Sequence, residues 1–236
     1  MELSIVIPAY NEAERLPLTL QRINAHFAND PRSYEIIVVD DGSTDGTGIV
    51  ATQSALPVRL VQQPKNMGKG AAVRTGMAAA QGEWRYLCDA DLSTPIEDFE
   101  KLWIRRHEAD VILGSRRMPG SSIERHQRWW KEVLGQAGNA FIQLMVVRGI
   151  HDTQCGFKLF SRRTRSLFER QQLNSWGYDF EILWLARRAG LRLLEIPVRW
   201  VNDDRSKVRP SDYVKTLVDV LRIRYYQARG FYKLPI

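Results

Sequence analysis

Along the first 115 residues, short apolar runs alternate with longer polar stretches in which apolar side chains recur every three or four positions. The runs cover residues 3–7, 35–39, 58–61, 84–88 and 111–113, lengths that suit buried strands. Between them, residues 12–28 carry Leu16, Leu20, Ile23 and Phe27 at helical spacing, and 45–54 and 70–81 read as further crossover helices. This alternation predicts an α/β fold with a mixed, mainly parallel sheet flanked by helices, Rossmann-like in its first half.

After Gly114 the pattern loosens. Arg116, Arg117, Arg125, Arg128 and Lys131 crowd around Trp129-Trp130, ahead of a helix to Val147. Residues 156–160 then predict a strand, 178–190 a helix and 193–200 another strand, and a charged loop over 202–210 leads to a last helix over 211–229. In that helix Tyr213, Val214, Leu217, Val218, Leu221 and Tyr225 form one stripe, with Lys215, Arg222 and Arg229 largely elsewhere. Such a stripe suits docking either on the core or on a membrane surface. The expected organisation is one domain over 1–210, with 211–236 forming an amphipathic helix that packs on it or on a membrane.

Composition narrows the function classes. The 236 residues are 44% hydrophobic and 26% charged, enough for one folded domain with a substantial core. The net charge of +7 calls for an anionic partner: a phosphate ligand, a nucleic acid or an acidic membrane surface. Two cysteines, Cys88 and Cys155, are too few for a disulfide framework or thiolate cluster, so reduced thiols and a cytoplasmic setting are expected. The first residues lack the marks of a signal peptide, and no apolar run approaches the ~20 residues that cross a bilayer. Peripheral association with the cytoplasmic membrane face is therefore the most that is expected.

The candidate chemistry sits at strand ends. The first run closes in Pro8-Ala9-Tyr10-Asn11-Glu12 and the second in Asp40-Asp41-Gly42-Ser43-Thr44-Asp45-Gly46-Thr47. Ligands of open α/β sheets bind beyond the carboxyl ends of strands, where a carboxylate such as Asp40 can accept from a base or ribose. The same residues also suit a polar turn with a helix cap. Asp89-Ala90-Asp91 follows the fourth run directly. Carboxylates two apart on extended backbone share a side and suit Mg²⁺ or Mn²⁺ bridging a diphosphate. Asn66-Met67-Gly68-Lys69-Gly70 opens a helix and can cradle phosphate, but it lacks the spacing of a P-loop.

Taken together, these motifs resemble family 2 glycosyltransferases of the GT-A fold. Downstream, residues 152–160 and Gly177-Tyr178-Asp179-Phe180-Glu181 resemble the dolichyl- or polyprenyl-phosphate glucosyl- and mannosyltransferase branch. The resemblance implies a nucleotide-sugar site of Pro8, Tyr10, Asn11, Glu12, Asp40, Asp41, Lys69, Asp89, Ala90 and Asp91, with metal on Asp89 and Asp91. It implies an acceptor-phosphate site of Ser115, Arg116, Arg117, Lys131, Arg205 and Lys207, Arg116 being favoured by motif position. Two positions depart from the pattern. Ser93 stands where mannosyl members often have a metal-contacting Gln, and Lys131 replaces a second phosphate-binding arginine, keeping charge but losing the planar fork.

The implied reaction is inverting transfer of a hexose from a nucleotide-diphosphate sugar to a lipid phosphate, with Asp91, Arg116 and Asp179 as the catalytic set. The match over 152–160 leans to UDP-glucose over GDP-mannose. A phosphate acceptor is already anionic and needs no general base, so Asp179 reads either as the base for a hydroxyl acceptor or as a helix cap that orients Arg116 or Arg205. The rivals are a GT-A enzyme with a soluble hydroxyl acceptor, a sugar-phosphate nucleotidyltransferase, whose glycine-rich loop is missing here, and a basic nucleic-acid-binding module, whose signatures are missing. No nucleic-acid partner is expected.

Overall fold

The computed structural model describes residues 1–54, 56–125, 129–201 and 210–232. In chain order the elements are β1 (Leu3–Ala9), α1 (Leu16–Phe27), β2 (Tyr34–Asp40), α2 (Thr47–Thr52), β3 (Val58–Gln62), α3 (Lys69–Ala79), β4 (Trp84–Leu87), α4 (Phe99–Trp103), β5 (Val111–Ser115), β6 (Ser122–Arg125) and α5 (Trp129–Met145). There follow β7 (Lys158–Ser161), α6 (Arg165–Arg170), α7 (Tyr178–Arg188), β8 (Leu193–Pro197), β9 (Arg199–Val201) and α8 (Pro210–Ala228).

Seven strands form one sheet in the order β3-β2-β1-β4-β7-β5-β8, and β6 and β9 pair separately. All neighbours in the large sheet are parallel except β7, which runs antiparallel between β4 and β5. Successive side chains of a strand face opposite ways, and β1 shows the consequence. Leu3, Ile5, Ile7 and Ala9 join a core layer with α1 and α4, whereas Val6 joins the layer with α3, α5, α6, α7 and α8.

Two expected strands come out differently. Residues 156–160 shift to Lys158–Ser161, and 193–200 splits after Pro197, a residue with no N–H for a ladder bond. Val198 then donates back to the Ser115 carbonyl (3.2 Å), and the chain leaves for the small sheet. The chain steps from β1 to β2 on one side and returns to β4 on the other, so the sheet reverses its order at β1. In open α/β sheets such a reversal opens a crevice at the carboxyl ends of the strands.

Candidate functional site

The crevice is built by hydrogen bonds between the strand-end loops. Asn11, with a left-handed φ of 54°, donates its N–H to Ser43 Oγ (2.9 Å) and accepts from Thr44 N at Oδ1 (2.9 Å). The Glu12 amide donates to Thr47 Oγ1 (2.7 Å), and the Glu12 carboxylate holds Arg15 in a forked ion pair. Asp40 and Asp41 are both buried and both engaged by backbone. Asp40 accepts from Ser43 N (2.9 Å), and Asp41 from Met67 N (2.7 Å) and Gly68 N (2.9 Å). The Asp-Asp pair thus ties its own turn to the start of α3. Burial pushes the Asp41 carboxyl above the usual range, and the two backbone donors oppose that. Both carboxylates therefore also serve the loop itself, the polar-turn role that the sequence allowed. Pro8, Tyr10, Asn11, Glu12 and Asp41 line a cavity of about 650 Å³, and Asp40 stands behind its wall.

Lys69, Asp89, Ala90 and Asp91 close the far side of that cavity. Thr19 of α1 donates to the Ala90 carbonyl (2.6 Å) and Ser93 N donates to Asp91 Oδ1 (3.0 Å), while Leu92 between them takes a left-handed φ of 47°. A branched-γ residue in that region is backbone strain held by its surroundings, a feature that clusters at functional sites. Lys69 reaches Asp89 at 2.7 Å and lies over the Trp176 ring at 4.7 Å. Burial and the neighbouring Asp89 push the Asp91 carboxyl up, while burial of Lys69 is outweighed by Asp89, Asp179 and Asp91, which keep it protonated. Two crowded carboxylates with oxygen donors only fit a hard divalent cation. Among the described residues no group of three acidic, histidine or cysteine side chains is placed to hold a metal, so a cation here would draw its remaining ligands from substrate and water.

A narrow cleft of about 150 Å³ joins Asp89 and Asp91 to Arg116, Gln154, Trp176 and Trp200. Arg116 is fixed by Asp152, whose carboxylate accepts from its backbone N (3.0 Å), Nε (2.6 Å) and Nη2 (2.9 Å). Burial would raise the Asp152 carboxyl, but Arg116 outweighs it and holds the group at about 2. Arg117 is lowered, mainly by burial. Ser115 is buried beneath them, with its Oγ accepting from Arg117 N (3.4 Å), and does not reach the surface.

Beyond Arg116 the cleft widens into a groove of about 870 Å³ between α5 and α8. Leu134, Phe141, Leu217 and Leu221 line it, along with Gly135 and Gly138, where a Cβ would meet nothing within 4 Å. Each mid-helix glycine costs about 1 kcal/mol of helix stability, and here the missing side chains leave the groove wide. The α8 stripe is not docked on the core. Val214, Leu217, Val218, Leu221 and Tyr225 are 40–63% exposed, and the helix packs inward through Asp219, Val220 and Ile223 instead.

Asp179 does not cap α7, whose N-cap position is Gly177, and its charge is among those that favour the protonated form of Arg116. It is buried and accepts from Lys158 Nζ at 2.6 Å. Glu181 accepts from Gln172 N, Leu173 N and Tyr232, a purely internal set. Arg205 and Lys207 lie outside the described residues, as do the side chains of Trp129, Trp130, Lys131 and Tyr213. Arg15, Asp152, Trp176 and Trp200 join the site without having been singled out. Only Asp152 carried a local signal, as the first residue of the 152–160 motif.

Residues 4–168 match the family model described as glycosyl transferase family 2. The chain belongs to this family. It is 35% identical to a dolichyl-phosphate β-glucosyltransferase of Dictyostelium discoideum over 98% of this chain and 76% of that protein. It is 33% identical to the Homo sapiens protein of the same name over 99% of this chain and 78% of that one. Among solved structures, mannosyl-3-phosphoglycerate synthase from Rubrobacter xylanophilus superposes with a TM-score of 0.71 at 18% identity, covering 100% of this chain and 77% of that one. Glucosyl-3-phosphoglycerate synthase from Mycobacterium tuberculosis, in complex with Mn²⁺ and UDP-glucose, gives 0.66 at 19% identity over 100% and 80%. These neighbours establish the GT-A fold of this glycosyltransferase.

Proposed function

We propose that this enzyme transfers glucose from UDP-glucose to a dolichyl or polyprenyl phosphate with inversion at the anomeric carbon. The observation that carries the reading is the continuity of the acidic cleft and the apolar groove, which share Arg116, Gln154, Trp176 and Trp200. A donor diphosphate and a lipid tail need opposite surroundings, and here the two meet at one arginine. The names of the relatives support the glucose and the lipid acceptor.

In this reading the loops after β1 and β2 hold the nucleotide, and Asp89 and Asp91 hold Mg²⁺ or Mn²⁺. A bound divalent cation offsets the charge on the leaving diphosphate. Lys69 supplies a fixed cation on the same side, and Arg116, turned by Asp152 and stacked 5.4 Å from Trp200, meets the acceptor phosphate with Arg117. An acceptor phosphate oxygen attacks the anomeric carbon as the bond to UDP breaks. The phosphate monoester, with a second pKa of about 6, enters mostly as a dianion and has no proton to surrender. With such an acceptor Asp179, paired to Lys158, is not needed as a base. The exposed α8 stripe supports peripheral binding to an anionic membrane, which this reading puts at its cytoplasmic face; among the described residues no helix is long and apolar enough to cross a membrane.

The test is product formation from UDP-glucose or GDP-mannose with Mg²⁺ or Mn²⁺ and a short polyprenyl phosphate. Glucolipid and UDP that both require the lipid are expected. Equal turnover with a soluble sugar acceptor would move the reading to the hydroxyl class.

A further inference from the structure

Gly156 has no backbone reason to be glycine, because its φ lies outside the left-handed region in which the structure places seven other glycines. The reason lies across the cleft. A Cβ built on Gly156 would sit 2.0 Å from Asp89 Oδ2, 2.6 Å from its Cγ and 2.9 Å from Oδ1, and these are the three nearest atoms. The Asp89 carboxylate therefore rests on the bare Cα of Gly156, with Lys69 at 2.7 Å.

The loop that carries Gly156 is itself held. Lys158, buried in β7 between β4 and β5, donates to the Cys155 carbonyl and to Asp179 Oδ1 (2.6 Å). Gly114 N donates to the Phe157 carbonyl (2.8 Å). A buried lysine needs partners for its donors, and Lys158 finds them in Asp179 and in the Cys155 carbonyl, so the pair keeps the turn in place. We propose that Gly156 and Lys158 are positioning residues for Asp89, Gly156 by leaving the space its carboxylate fills and Lys158 by fixing the 155–157 turn against it. The proposal rests on the reading of Asp89 and Asp91 as the cation site and gives the buried Lys158–Asp179 pair a part in it.

The experiment titrates Mn²⁺ into the full chain with UDP, reading free Mn²⁺ by electron paramagnetic resonance, alongside thermal melts. Gly156→Ala is expected to weaken Mn²⁺ binding at least tenfold, with UDP binding in chelator unchanged. The charge-free pair Lys158→Met/Asp179→Asn is expected to weaken it severalfold. In an Asp89→Ala background the added methyl meets no carboxylate, so Gly156→Ala should lower Tm clearly in the wild type and hardly at all there, and should regain folding there if it unfolds alone. Wild-type Mn²⁺ affinity in Gly156→Ala, or an equal loss of Tm in both backgrounds, would overturn the proposal. A wild-type chain that binds no Mn²⁺ with UDP would remove the cation site itself and this inference with it.

Discussion

The two ends of the cleft are built on opposite rules. On the donor side, around β1, β2 and β4, Glu12, Asp40 and Asp41 are buried, Asp89 and Asp91 are half-buried, and hydrogen bonds tie the strand-end loops to one another. On the acceptor side, between α5 and α8, leucines and valines face outward and two glycines leave the groove open. A buried carboxylate without its partner costs several kcal/mol, whereas an exposed leucine costs little. The donor side is therefore rigid and intolerant of change, and the acceptor side is adaptable. That division suits a substrate pair in which one member has fixed geometry and the other a long flexible tail.

The sharpest way to break this contrast is Asp91→Ala. Transfer is expected to fall on the order of 10³-fold, the scale of losing an electrostatic stabiliser of the leaving group, with vesicle binding unchanged. Burial and Asp89 already disfavour the charged form of Asp91. At neutral pH its removal relieves that cost, so Tm should hold or rise. A calorimetric scan that showed a marked fall in Tm would mean that Asp91 is structural.

How much of this contrast was legible in the sequence follows from distance along the chain. The strand ends are short-range features, and Asp-Ala-Asp announces itself after an apolar run. Lys69 meets Asp89 only because β1 lies beside β4, and Arg116 meets Asp152 across 36 positions. No local pattern encodes such pairings. The antiparallel sense of β7 was hidden because an apolar run carries no direction, and the pairing of Asp179 with Lys158 was hidden because the two lie 21 positions apart. The α8 stripe was correctly periodic, yet periodicity cannot say what covers it. A helix that docks through a buried Asp219 and two aliphatic residues leaves the larger stripe outside.

The next effect in size concerns the junction between the two ends. Asp152 is held at about 2, below the ~3.9 of an unfolded Asp, so its contribution is present above pH 4 and lost as pH falls through 2. Linkage puts it on the order of 2 kcal/mol. Asp152→Asn should therefore flatten the stability profile between pH 2 and 4, measured by urea melts. It should also raise the KM for a short polyprenyl phosphate about tenfold, from a misaimed Arg116, while the KM for UDP-glucose stays within twofold. Equal rises in both constants would mean that the pair supports the whole cleft rather than the acceptor end.

The smallest effects belong to the outer stripe. Val218 and Leu221 are 41% and 56% exposed, so replacing either by Ser loses only the buried remainder and should cost about 1 kcal/mol of stability. If the stripe meets lipid, the same change forfeits the remaining burial, about 1 kcal/mol for half a leucine side chain, or roughly fivefold in vesicle partitioning. Leu221 also lines the groove and Val218 does not. Leu221→Ser should accordingly raise the KM for a long polyprenyl phosphate more than for a short one, whereas Val218→Ser should weaken vesicle binding alone. Identical behaviour of the two variants would merge groove and membrane face into one surface, and a loss of stability of about 3 kcal/mol or more would show that the stripe is covered by protein.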